Sequence, residues 1–126
     1  MDFCRCELVT DPFVRVDRQK RFIYANEAAC RVLGKAREEL LGMEFPRFLH
    51  KDDIKHTFDR LKMLMNPPYR MRFENRVKTT GGLRWFEWEV CGLLDEQGRV
   101  VEIQGFGRAN RRGERNGQGN GRKSYP

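Results

Sequence analysis

An α+β domain, with an antiparallel sheet and helices packed over one of its faces, is the architecture the sequence predicts. Three observations carry it. Tyr69, Met71, Phe73 and Val77 alternate with Arg70, Arg72, Glu74, Arg76 and Lys78, the period-two pattern of a strand with one dry side. Two turn signals, Thr79-Thr80-Gly81-Gly82 and Asp95-Glu96-Gln97-Gly98, divide residues 69 to 106 into three consecutive strands joined as hairpins. Two further strand patterns come first and a run of helical patterns lies between; strands grouped in this way form antiparallel sheets.

Taken in order, residues 1–10 hold Phe3, Leu8 and Val9, enough for a short capping segment that Asp11-Pro12 ends. Phe13 to Asp17 reads as a strand, Arg18 to Lys20 as a turn, and Phe22 to Ala25 as the hairpin partner. Asn26 is an N-cap, and Glu27 suits the positive end of the helix that follows. Ala28, Ala29, Val32 and Leu33 give that helix one apolar face, and Gly34 closes it as a left-handed cap. Arg37 to Leu41 makes a short helical turn, and Phe45, Phe48 and Leu49 another. Asp52 or Asp53 is expected to cap the one longer helix, whose buried stripe reads Ile54, Phe58, Leu61 and Met65. Asn66-Pro67-Pro68 stops it.

The alternation also suggests a register. Setting Thr80 opposite Leu83 places Val77 opposite Phe86, Asn75 opposite Trp88 and Phe73 opposite Val90, all on one face. Setting Leu94 opposite Arg99 places Val90 opposite Ile103 and Trp88 opposite Gly105. The dry face thus has a polar gap at Asn75, beside an indole that faces a glycine; either the indole fills the space or a ligand does. A buried amide must find partners or cost about 1–3 kcal/mol. The other face carries Trp85, Phe106, Cys91 and a ladder of Arg and Glu in which Arg76 faces Glu87. Its aromatic side chains mark a protein interface, unless Phe3 or Leu8 of the capping segment folds over them.

Composition bounds the rest. The 126 residues suit one domain, and no stretch is apolar enough to span a membrane, so a cytoplasmic location is expected. Cys4, Cys6, Cys30 and Cys91 form no CxxC pair and have no histidine spacing for a metal; reduced thiols are expected. The net charge of +7 is uneven: residues 108–126 carry six Lys or Arg against Glu114. That basic Gly, Asn and Arg tail reads as disordered, and nucleic-acid association through it is a secondary alternative.

Several stretches, in this order and spacing, resemble a PAS domain: Phe22-Ile-Tyr-Ala-Asn-Glu-Ala-Ala29, Leu33-Gly34, Glu38-Glu-Leu-Leu-Gly42, Phe48-Leu-His-Lys-Asp-Asp53, Gly82-Leu-Arg-Trp85 and Asp95-Glu-Gln-Gly-Arg-Val-Val101. The resemblance spans residues 11–107. It implies a five-stranded antiparallel sheet in the order 2-1-5-4-3, with short helices and one longer helix over a small cavity. It also implies a sensory module of signal transduction, as in two-component systems, that takes a small ligand or cofactor and pairs with a second copy or another PAS or effector protein in trans.

Two departures from the family pattern bear on output. Lys51 stands where a His-Pro-Asp-Asp turn has proline, and Ala109-Asn110-Arg111 replaces an Asp-Ile-Thr signature that leads into a coiled-coil linker. Either the chain is a piece of a longer sensor or it acts in trans. The ligand-facing set expected from the strand and helix faces is Asn75, Trp88, Gly105, Phe58, Leu61 and Phe73; the interface set is Trp85, Phe106, Cys91, Phe3 and Leu8. A haem- or flavin-carrying redox or gas sensor is the alternative, and the residues speak against haem and against covalent flavin chemistry. His56 falls opposite the buried stripe, and Phe45-Pro-Arg-Phe-Leu-His50 has no cysteine where a flavin photosensor carries one. The cofactor is left unknown. No inward carboxylate or nucleophile–base pair emerges, so no enzyme is expected.

Overall fold

The computed structural model describes residues 11–110. Strands β1 (Phe13–Asp17), β2 (Phe22–Ala25), β3 (Arg70–Thr79), β4 (Gly82–Leu94) and β5 (Val100–Ala109) form one sheet in the order β2-β1-β5-β4-β3, every pairing antiparallel. Between β2 and β3 come helices α1 (Glu27–Leu33) and α2 (Arg37–Leu40), a 3-10 turn (Phe45–Phe48) and the longest helix, α3 (Lys51–Met63). The fold class and strand order expected from the sequence are observed. β5 continues two residues past position 107, and the expected capping segment lies outside the described residues.

Local chemistry fixes where the helices begin and end. Asn26 is fully buried; its Oδ1 accepts from Ala29 N at 2.9 Å, capping α1, and from Phe13 N at 3.0 Å, which ties the cap to the first strand. Gly34 ends α1 at a φ of 72°, and a Cβ there would meet the Thr80 methyl at 2.5 Å. Thr80 N also donates to Val32 O at 3.0 Å, so the β3–β4 hairpin tip is docked on the end of α1. α3 is capped not by Asp52 or Asp53 but by His50, whose Nδ1 accepts from Asp52 N at 3.0 Å.

The register differs from the expected one by two residues at each hairpin. Phe73 faces Trp88, Asn75 faces Phe86 and Met71 faces Val90. Trp88 in turn faces Gly107, and Val90 faces Gly105. The first slide originates at Thr79, whose Oγ1 accepts from Gly81 N at 3.0 Å and donates to Gly82 O at 2.6 Å. This closes the turn around Thr80-Gly81 and leaves Gly82 to take the positive φ of 100°. The second accompanies an irregularity between Leu93 and Leu94. A shift of two keeps every side chain on its face, so the faces stand as expected while the neighbours change.

The face that α3 buries is also turned from the expected one. Asp53, Thr57 and Leu61 are buried, continued by Leu64, whereas Ile54 and Phe58 are half-buried and Met65 is exposed. Two polar residues occupy the inner positions because each finds a fixed partner on β3: Asp53 binds Arg76, and Thr57 binds Asn75. Arg76 lies on an edge strand, and its N–H donates to Asp53 Oδ2 at 2.7 Å while its carbonyl accepts from His50 N at 3.0 Å. The beginning of α3 therefore covers part of an edge that would otherwise present open backbone groups.

Candidate functional site

Two apolar clusters meet over the inner sheet face. One gathers Val16, Phe22, Leu61, Phe73 and Ile103; the other gathers Leu49, Val77 and Phe86; Phe45, Phe48 and Trp88 pack against both. Between sheet and helices the packing leaves a cavity of about 90 Å³. Val14 and Val16 of β1, Ala29 and Leu33 of α1, Thr57 and Leu61 of α3, and the inward residues of β3, β4 and β5 line it.

Of the residues expected to face a ligand, Asn75, Trp88, Gly105, Leu61 and Phe73 all line this space. Phe58 does not: with α3 turned, its ring lines a separate groove of about 260 Å³ on the far side of Leu61. The glycine beneath the indole is also corrected. A Cβ at Gly107 would lie 2.6 Å from the Trp88 ring, whereas at Gly105 it would sit 3.5 Å away in ordinary contact. Absence of a side chain at 107 lets the indole lie on the sheet, where it stacks on Phe86 with centroids 5.8 Å apart.

The polar gap at Asn75 is closed from both sides. Trp88 Nε1 donates to Asn75 Oδ1 at 2.9 Å, and Asn75 Nδ2 donates to Thr57 Oγ1 at 3.1 Å. The chain joins β4, β3 and α3, and it leaves an apolar lining whose polar side chains are already engaged with one another. Thr57 was not singled out in the sequence, although it lies four residues from both Asp53 and Leu61 and so shares their helix face.

One turn earlier, the Asp53 carboxylate takes a forked bond from Arg76, with Oδ1 to Nη2 at 2.8 Å and Oδ2 to Nε at 3.0 Å. Burial raises the Asp53 pKa, but the side-chain and backbone bonds from Arg76 and its charge together hold it below the ordinary value. The expected pairing of Arg76 with Glu87 is not made; Glu87 has Arg72 at 3.7 Å, and Arg72 also binds Glu89 at 3.0 Å.

On the outer face, Trp85 and Phe106 do not form one patch. Arg76 lies over the Trp85 ring at 5.0 Å, while Phe106 joins Phe13 and Tyr24. Ring centroids there are 6.5 Å for Phe13–Phe106 and 5.9 Å for Phe13–Tyr24. This cluster was not legible in the sequence because Phe13 and Tyr24 lie far from Phe106 in the chain. They become neighbours through the pairing of β1 with both β2 and β5. Cys91 faces Gln104, and Phe3 and Leu8 lie outside the described residues.

Neither a haem ligand nor a flavin-reactive thiol faces the cavity among the described residues. Among the described residues no histidine or cysteine lines it: His56 is exposed, His50 caps α3, and Cys30 and Cys91 are half-buried elsewhere. No helix among the described residues is long and apolar enough to cross a membrane.

An antiparallel sheet in this strand order, with helices enclosing an apolar cavity over one face, is a PAS-like architecture. The chain matches the family model of the PAS fold over residues 6–109, and it belongs to that family. No curated protein matches it. Among solved structures, a PAS domain from Colwellia psychrerythraea is similar with a TM-score of 0.77 at 19% identity, covering 86% of this chain and 94% of that one. Drosophila melanogaster Cycle PAS-B with bound ethylene glycol gives 0.70 at 19%, over 79% and 99%. The PAS domain of the Cronobacter turicensis RpfR quorum-sensing receptor, in complex with C12:0, gives 0.69 at 16%, over 80% and 94%. At such identities the likeness shows the fold.

Proposed function

We propose that this chain is a sensory and protein-interaction module of signal transduction. It takes a small, largely apolar molecule between sheet and helices and associates through the outer sheet face with a second copy or another PAS or effector protein. The observation that carries the proposal is the cavity lining, whose polar side chains satisfy one another and therefore favour an apolar occupant. The small organic molecules bound to the Cycle and RpfR domains support the same reading.

Signal transfer follows from position. Trp88 touches the cavity, and its own strand carries Trp85, Glu87 and Glu89 on the opposite face. A ligand that packs better against one Trp88 arrangement selects the strand geometry that goes with it, and hence the state of the outer surface. Native mass spectrometry of the purified protein, with an absorption spectrum, tests both halves. A small molecule bound per chain, together with a dimer, is expected. A monomer that carries nothing and takes up no apolar probe contradicts the proposal.

A further inference from the structure

Beyond Leu61 and Ile103, which line both spaces, the inner cavity is backed by the open groove that contains Phe58. The two spaces differ in chemistry. The groove is lined by Arg18, Lys20 and Lys62, and among the described residues none of these three makes an ion pair. Its two carboxylates, Asp17 and Glu102, sit opposite each other across β1 and β5 and leave the three cations in excess. Asp17 is also engaged, its Oδ1 accepting from Gln19 N at 2.9 Å and Arg21 N at 3.0 Å.

Lys20 is the least expected of the three cations. It holds a φ of 67°, a conformation that glycine or asparagine adopts with less strain, and its Nζ stands 4.8 Å from the centre of the Phe58 ring. A lysine at such a turn position, with its ammonium over an aromatic ring in the groove beside Leu61, is arranged to meet an anion.

We infer that the groove receives the carboxylate of an amphipathic acid whose hydrocarbon part lies in the inner cavity, with Lys20 and Lys62 as its headgroup partners and Leu61 as the movable partition. The inference rests on the inner cavity being a ligand site. It adds that the ligand is a monoanion and that its head points toward the β1–β2 turn.

Calorimetric titration with octanoate and with octan-1-ol separates the two ideas. The acid is expected to bind about tenfold more tightly than the alcohol, the effect of one charge-assisted hydrogen bond in a partly dry site. Lys20→Gly, which suits the local φ, and Lys62→Gln should each remove most of that advantage and leave the alcohol affinity unchanged. Equal affinities in the wild type, or an acid affinity unmoved by both substitutions, would overturn the headgroup site while the cavity reading stands. Failure of both probes to bind overturns the cavity reading and this inference with it.

Discussion

The indole of Trp88 and the amide of Asn75 are joined by a 2.9 Å hydrogen bond, and the same amide donates onward to Thr57 on α3. One buried side chain thus fastens the inner face of the sheet to the helix that covers it.

Replacing Asn75 by alanine leaves Trp88 Nε1 and Thr57 Oγ1 without their partner. Unsatisfied groups of this kind cost about 1–3 kcal/mol, so urea unfolding should show a loss of about 2–3 kcal/mol. A double-mutant cycle with Thr57→Val should return a coupling of about 1 kcal/mol; strict additivity would mean that the two residues act separately.

The two glycines under the indole should respond differently. Gly107→Ala drives a Cβ to 2.6 Å from the Trp88 ring, and overpacking of this kind costs about 1–3 kcal/mol. Gly105→Ala meets its neighbours at 3.5 Å or more and should stay within about 1 kcal/mol of the wild type. Thermal unfolding of both variants checks the ranking; the reverse order would restore the register expected from sequence.

Acid should weaken the contact between α3 and β3. The folded-state pKa of Asp53 lies below its ordinary value of 3.8, so its contribution is complete above that value and is lost as the pH falls through the depressed folded pKa. Asp53→Asn should lower stability at neutral pH by about 1–3 kcal/mol, the value of hydrogen bonds to a charged group, and should flatten the acid limb of the pH–stability profile. Asp95, also held low by the Arg99 backbone N–H, lies at an exposed turn, and Asp95→Asn serves as the comparison. An acid limb unchanged in Asp53→Asn would place the sensitivity elsewhere.

Association through the outer face makes a separate demand on the ring cluster. Phe106→Glu sets a charge among Phe13 and Tyr24 and should reduce self-association in sedimentation experiments at least tenfold. Binding of apolar probes to the inner cavity should persist. Unaltered association would remove this face from the interface.

The sequence made some of this legible and hid the rest for identifiable reasons. Period-two alternation marked the inner and outer faces of β3 and β4, and Asn26 and Gly34 marked both ends of α1. The register escaped because alternation is unchanged by a slide of two; what set it was a Thr79 side chain closing its own turn. The inner face of α3 escaped because a hydrophobic stripe counts polar residues as outward. Asp53 and Thr57 are inward, satisfied by partners on a strand more than fifteen residues away. The left-handed φ at Lys20 left no trace, since the turn holds no glycine or asparagine.

The most direct test of a ligand site beside Trp88 is an NMR titration of the two indole N–H resonances with benzene, a probe small enough for an apolar cavity of this kind. The Trp88 resonance should shift progressively and saturate, while that of Trp85, on the outer face, stays near its starting position. A stationary Trp88 resonance at concentrations that move Trp85 or the outer-face rings would contradict the account.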